Sequence, residues 1–246
     1  MRLAIISDIH GNISALNAVL DDIHRRGVED IVNLGDVLSG PMDARATAEH
    51  LMPLNIPTVC GNHDRQLIDR PKAQMGLWEK FVIDDLSEDH LAWVATFPAK
   101  ITRDDLLFCH ATPNSDAEHW LDFSGRGQRF VARDLPGVVE KLGDTSAAVV
   151  CCGHTHTPRL VRVPNGQMIV NPGAVGLPAY FDTRSSPPVI QQTGAPDARY
   201  AILEKIGGVW RGDLIAVPYH NAEMVRLARE KAEESWGQAL ETGWIT

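Results

Sequence analysis

Aspartate, histidine and asparagine side chains recur along this chain at Asp8 and His10, Asp36, Asn62 and His63, His110, and His154 and His156, mostly beside Gly11, Gly35, Gly61 or Gly153. Carboxylate oxygen, imidazole nitrogen and carboxamide oxygen form a donor mix that suits borderline divalent cations such as zinc, manganese, iron, cobalt or nickel. The set exceeds what one tetrahedral or octahedral ion requires, so two ions sharing one centre is the natural reading. A bridging carboxylate can hold two cations roughly 3.5–4 Å apart, while neutral imidazoles add no further charge. Two cations together should lower the pKa of a shared water far enough to give hydroxide near neutral pH.

Such a centre needs elements that bring distant residues together. Leu3–Ser7 is an unbroken apolar run, and Ile13, Leu16, Val19, Leu20 and Ile23 then fall at helical spacing, with Asn12 as the expected N-cap. Ile31–Leu34 predicts a second strand, Ala44–Leu51 a second helix, Ile56–Cys60 a third strand, and a short helix follows from about Asn62. This alternation argues for a parallel sheet covered on both faces. Further helices are expected around Leu77–Ile83 and from Glu88 to Thr96 with Ser87 as N-cap, and one between about 129 and 142. Ile101–His110 reads as a hairpin turning at Asp104-Asp105, and Ala147–Cys152 as a buried strand. The later pattern is antiparallel. Leu160–Val163 and Met168–Val170 flank Pro164-Asn165-Gly166, whose Asn-Gly favours a type I′ turn, and Tyr200–Ile206 and Val209–Val217 flank Gly207-Gly208. Residues 111–127 and 182–197 read as loops, and one amphipathic helix from Ala222 to about Trp236 closes the chain. One domain over 1–246 is expected, with a helical and loop cap at about 71–127. In that arrangement Asp8, Asp36, Asn62, His110 and His154 each fall at or just past the carboxyl end of a strand, where open α/β sheets bind their ligands.

Composition narrows the class. The chain has 246 residues, 44% apolar and 22% charged, enough to bury a sizeable core. A net charge of −9 disfavours stable binding to nucleic acid or anionic lipid. Asp8 follows residue 1 too closely for a signal peptide to intervene, and no apolar stretch nears the roughly 20 residues of a membrane span, so a cytoplasmic protein is expected. Cys60, Cys109, Cys151 and Cys152 each end an apolar run and read as small buried hydrophobes, although Cys60 and Cys109 adjoin ligand positions.

The order D-x-H, G-D, G-N-H-D, H and G-H-x-H, from Asp8 to His156, resembles the calcineurin-like metallophosphoesterases. Asp8-Ile9-His10-Gly11-Asn12 and Asn171-Pro172-Gly173 are similar to bacterial single-domain members related to small phosphodiesterases and diadenosine-tetraphosphatase-like proteins. The resemblance runs from residue 3 to about 217. It implies a four-layer α/β/β/α sandwich of two mixed sheets flanked by helices, with a dinuclear centre between the sheets. It places Asp8, His10 and His156 on the first metal, Asn62, His110 and His154 on the second, and Asp36 on both. It also makes His63 the acid that protonates the leaving oxygen after in-line attack on phosphorus.

One stretch departs from the family's protein phosphatases, which carry G-D-x-V-D-R-G. Here Gly35-Asp36-Val37-Leu38-Ser39-Gly40-Pro41 has Ser39 where their histidine-pairing aspartate stands, and lacks the phosphate-gripping arginine. The expected substrates are therefore phosphodiesters or small phosphorylated, nucleotide-like metabolites. Phosphomonoesters, phosphoproteins included, are one alternative, and a non-catalytic metal-dependent binding scaffold is another. Asn12 could contact phosphate or only cap its helix, and Asp64 could simply cap the helix after Asn62. His24, His50, His90, His119 and His220 read as surface or packing residues, and Trp120 and Phe123 as packing rather than a base-stacking platform.

Overall fold

A computed structural model describes residues 1–125, 128–182 and 188–245. The chain runs β1 (Arg2–Ile6), α1 (Ile13–Arg25), β2 (Ile31–Asn33), α2 (Ala44–Leu51), α3 (Asn62–Asp69), α4 (Leu77–Lys80), α5 (Glu88–Val94), β3 (Lys100–Arg103), β4 (Leu106–Cys109), β5 (Asp122–Ser124), β6 (Phe130–Ala132) and α6 (Leu135–Leu142). It continues through β7 (Val149–Cys151), β8 (Arg159–Arg162), β9 (Met168–Asn171), β10 (Ala179–Asp182), β11 (Val189–Gln192), β12 (Ala198–Ile206), β13 (Val209–Val217), α7 (Ala222–Lys231) and α8 (Glu234–Thr242). One sheet has the order β13-β12-β1-β2 and the other β3-β4-β7-β9-β8. Both are mixed: β1 is parallel to β2 and antiparallel to β12, while β7 is parallel to β4 and β9.

The inner strands β1, β4, β7 and β9 read as unbroken apolar runs because the sheets are covered on both faces there. Leu3 and Ile5 point toward Leu106, Phe108, Val149, Cys151, Met168 and Val170 of the other sheet. Their neighbours Ala4 and Ile6 pack beneath Leu16, Val19 and Ile23 of α1. On the far side, Leu107, Val150 and Ile169 lie under Trp120 and the α6 residues Val138 and Leu142. The layers are helix, sheet, sheet, helix. Among the described residues no helix is long and apolar enough to cross a membrane.

Six expectations give way to tertiary structure. Residues 56–60 form only a parallel bridge, Asn33 with Thr58, rather than a strand. Pro57 has no N–H to donate, and the Cys60 amide bonds Pro98 O at 2.8 Å, outside the sheet. The helix expected from 129 starts later: residues 130–132 pair with β5, and Asp134 caps α6 by accepting from Gly137 N. Pro136 is tolerated there because it lies in the first turn. Within the expected loop at 182–197, β11 pairs antiparallel with β10, burying Val189 and Gln191 on one face. The closing helix is two, α7 and α8, and Arg229 reaches across their hairpin to Glu234 and Glu241. At 163–166, Gly166 N donates to Val163 O and only Gly166 takes positive φ (91°), so the turn is not type I′. Within the segment expected as a cap, β3 and β4 are strands of the second sheet.

Candidate metal centre

Asp8, Asp36, His110 and His154 lie just beyond β1, β2, β4 and β7, and Asn62 is the first residue of α3. The backbone turns sharply at these points. Asp8 (φ 54°), His10 (51°), Asp36 (54°), His154 (67°) and His156 (54°) are five of the eight described non-glycine residues in the left-handed region. Side chains there cost free energy, and such residues cluster where function fixes them. Close approach demands glycine twice. A Cβ on Gly61 would run into Asp36 Oδ1, and one on Gly153 into Ser7 Oγ and Asp8 Oδ2.

Two groups of buried donors result: Asp8, His10 and His156, and Asp36, His110 and His154. They interlock, since His154 N donates to Asp8 Oδ2 (3.1 Å) and His10 N to Asp36 O (3.1 Å). All four histidines have one ring nitrogen on a backbone carbonyl. His10 Nδ1 meets Ser39 O (3.0 Å), His110 Nδ1 Leu34 O (2.8 Å), His154 Nε2 Ala117 O (3.1 Å) and His156 Nδ1 Leu177 O (2.9 Å). A carbonyl accepts only from an N–H, so these contacts place a proton on that nitrogen and turn the other toward the centre, as a lone pair wherever the ring is neutral, the arrangement metal-binding histidines use.

The first group fits a cation closely. His10 Nε2 and His156 Nε2 face each other at 3.2 Å with both protons committed elsewhere, and buried Asp8 Oδ1 has no hydrogen-bond partner. Burial, reinforced by the neighbouring His156, pushes His10 down to about 3. Burial works against the charge of Asp8, but His156 beside it holds the carboxyl down at about 2. Facing lone pairs and an anionic oxygen are what a cation would satisfy. The second group is self-paired. Asp36 Oδ2 lies 3.1 Å from His110 Nε2, and despite burial, which opposes it, the carboxylate raises His110 to about 10. Asn62 completes this side: with its amide oriented by hydrogen bonding, its nitrogen donates to His154 Nδ1 at 2.9 Å. Rotation of that amide would present the oxygen to a cation instead.

Residues 1–189 match the family model described as the calcineurin-like phosphoesterase superfamily domain. The chain belongs to that superfamily. Protein MJ0912 of Methanocaldococcus jannaschii is 30% identical, the match covering 72% of this chain and 76% of that protein. A metallophosphoesterase from Sphaerobacter thermophilus superposes with a TM-score of 0.76 at 28% identity, over 99% of this chain and 100% of that one. Protein PH1004 of Pyrococcus horikoshii gives 0.75 at 14% identity, over 100% of this chain and 99% of that one, a likeness of fold. As a calcineurin-like phosphoesterase the chain is a hydrolase of phosphoric esters, and its family implies divalent metal ions.

The remaining candidates divide. His63 adjoins the centre: its backbone N–H donates to Asp36 Oδ1 (2.9 Å) and its ring centroid lies 5.8 Å from that of His10. Asn12 is absorbed by the fold. Its oxygen caps α1 through Ala15 N (2.9 Å), and its nitrogen donates to Gly176 O (2.8 Å) and Tyr219 Oη (2.9 Å). Asp64 does more than cap α3, because it accepts from Asp36 N, Val37 N and Gly61 N and so ties the two ligand loops together. Burial holds the Cys60 thiol up at about 12, and its Sγ donates to Gly61 O at 3.6 Å. Trp120 is core, with its N–H on Val138 O, whereas His119 packs 5.3 Å from His154, beside the centre.

Three residues near the centre carry no motif. Trp78 stacks on His63 (4.6 Å, 12°) and meets His10 edge-on (5.0 Å), while Tyr180 meets His156 edge-on (4.7 Å). Buried Glu79 bonds His63 Nδ1 through Oε1. In sequence Glu79 is one acid in a short helix, without glycine or neighbouring ligand to mark it.

Proposed function

We propose that this chain is a two-metal phosphodiesterase acting on small phosphodiesters or nucleotide-like metabolites. The observation that carries the reading is the pair of interlocked, buried donor groups with complementary histidine tautomers. Asp8, His10 and His156 would hold one ion, Asn62, His110 and His154 the other, with Asp36 between, and the donor set suits Mn, Fe, Zn, Ni or Co. When bound, the two ions would supply a water of lowered pKa for in-line attack and Lewis-acid contacts to the phosphoryl oxygens. His63 would protonate the leaving oxygen as the P–O bond breaks. The whole chain would act as one domain, its cap reduced to the part of 71–127 outside β3 and β4.

The diester preference rests on the stretch at 35–41. No arginine stands there to grip a phosphomonoester dianion, and Ser39 is buried against the His10 ring, its Oγ 3.0 Å from Nδ1. A phosphodiester carries one negative charge and asks less of a cationic clamp. With the same metal and pH, bis-nitrophenyl phosphate should therefore be hydrolysed at least as well as mononitrophenyl phosphate. A tenfold monoester preference in kcat/KM, about 1.4 kcal/mol in the barrier, would move the reading to a small-molecule phosphatase. Metal binding without turnover on any phosphoester would leave a binding scaffold.

A further inference from the structure

We propose that Glu79 is a positioning residue: from the single turn of α4 it holds the Nδ1 proton of His63 and aims the Nε2 proton of the doubly protonated ring at the leaving-group oxygen. This rests on the reading of His63 as the general acid. Position 39, where the family's protein phosphatases carry an aspartate, holds a serine here, and that serine is engaged with His10. A different carboxylate reaches His63. Glu79 is 1% exposed, and its Oε1 bonds His63 Nδ1, a contact a carboxylate can make only by accepting a hydrogen bond from Nδ1–H. The same turn supplies Trp78, which covers one face of the ring in near-parallel stacking. One turn of chain thus sets both rotation and plane.

That turn is anchored beside the metal loops, since Gly40 N donates to Trp78 O at 3.0 Å. Space for the carboxylate is also provided. A Cβ on Gly76 would lie 2.7 Å from Glu79 Oε2, so Gly76 leaves room for the second oxygen. With Nδ1–H held by Glu79, only Nε2 can carry the transferred proton. In the step, the Nε2–H bond breaks and an O–H bond forms on the leaving oxygen, which takes the electron pair of the breaking P–O bond. The Nδ1–H stays on the ring, which is left neutral and still bonded to Glu79.

The test compares wild type with E79Q, E79D, H63A and the double variant H63A/E79Q, each checked for metal content. Each is assayed on a bis-nitrophenyl diester and on an alkyl diester with a poor leaving group. A glutamine can turn its N–H₂ toward Nδ1 and stabilise the opposite tautomer. E79Q should keep its metals, lose roughly 10–10²-fold on the alkyl diester and less than about threefold on the nitrophenyl diester. E79D should recover part of the loss, and E79Q should cost nothing further in the H63A background. Ring ¹⁵N shifts of His63 should report a protonated Nδ1 in wild type and the loss of that proton in E79Q. Equal losses by E79Q on both esters, a full loss persisting without His63, or an unchanged ring spectrum would overturn the assignment to Glu79. Equal losses by H63A itself on both esters would instead sink the general-acid reading.

Discussion

The two halves of the centre use similar side chains and reach opposite electrostatic states. Around Asp8, His10 and His156, imidazole nitrogens face each other at 3.2 Å, and Asp8 Oδ1, 3.3 Å from His156 Nε2, accepts no hydrogen bond. Around Asp36 and His110, a carboxylate and an imidazole 3.1 Å apart satisfy each other. The difference lies in geometry. Ser39 and Leu177 carbonyls hold both Nδ1 protons of the first half, leaving no proton to point inward. In the second half Asp36 lies opposite His110 Nε2, so an imidazolium can donate to both Leu34 O and Asp36. The first half demands a cation, whereas the second can wait for one.

The largest effect should follow from removing the carboxylate between the halves. Asp36→Asn is expected to lose at least one metal and roughly 10³-fold or more in turnover, about 4 kcal/mol of barrier. Full metal occupancy with normal turnover in that variant would mean that Asp36 bridges nothing.

A sharper contrast should appear in protein stripped of metal. His110→Ala leaves Asp36 buried without its counter-charge, and breaking such a pair costs about 3–5 kcal/mol. His10→Ala relieves a repulsion and should cost less, despite the cavity. Denaturant unfolding of the two metal-free variants measures the difference. Equal losses would show that the two halves do not differ as their geometry indicates.

The smallest effect, taken per pH unit, is a pH profile with two separable arms. His10 has a folded pKa of about 3, below its ordinary 6.5. Its contribution is thus complete above about 6.5 and is lost as pH falls toward 3. His110 is raised to about 10, so its contribution is complete below about 6.5 and is lost as pH rises through 10. Metal-free stability should peak near pH 6.5, each arm sloping by up to about 1.4 kcal/mol per pH unit for one proton. His10→Ala should flatten the acid arm and His110→Ala the alkaline arm. Urea midpoints across pH 4–10 check this, and a variant that flattens the wrong arm would reverse the assignment.

The sequence by itself determined the strand ends and what stands there. Continuous apolar runs such as Leu3–Ile6 and Val149–Cys151 mark doubly covered strands, and the polar residues and glycines beyond them mark where the chain turns out of each sheet. Helices with local start signals were equally legible: Asn12 and Ser87 cap α1 and α5, and α2 spans Ala44–Leu51 as its spacing predicts. These features depend on neighbours within a few residues, so the linear pattern carries them. Tertiary structure alone decided what depends on distant partners. Residues 56–60 lost their strand to a hydrogen bond from Cys60 N to Pro98 O, and β11 was gained by pairing with β10 across a proline-rich, polar stretch. The end of the chain folded back as two helices held by Arg229 across their hairpin. The site followed the same division. The candidate ligands stood in motifs, but the carbonyls of Leu34, Ser39, Ala117 and Leu177 that orient the histidines belong to residues whose identity leaves no mark on that role. Glu79 was hidden for a related reason: sixteen residues beyond His63, it acquires its role only because the turn of α4 is pinned to Gly40 beside the metal loops.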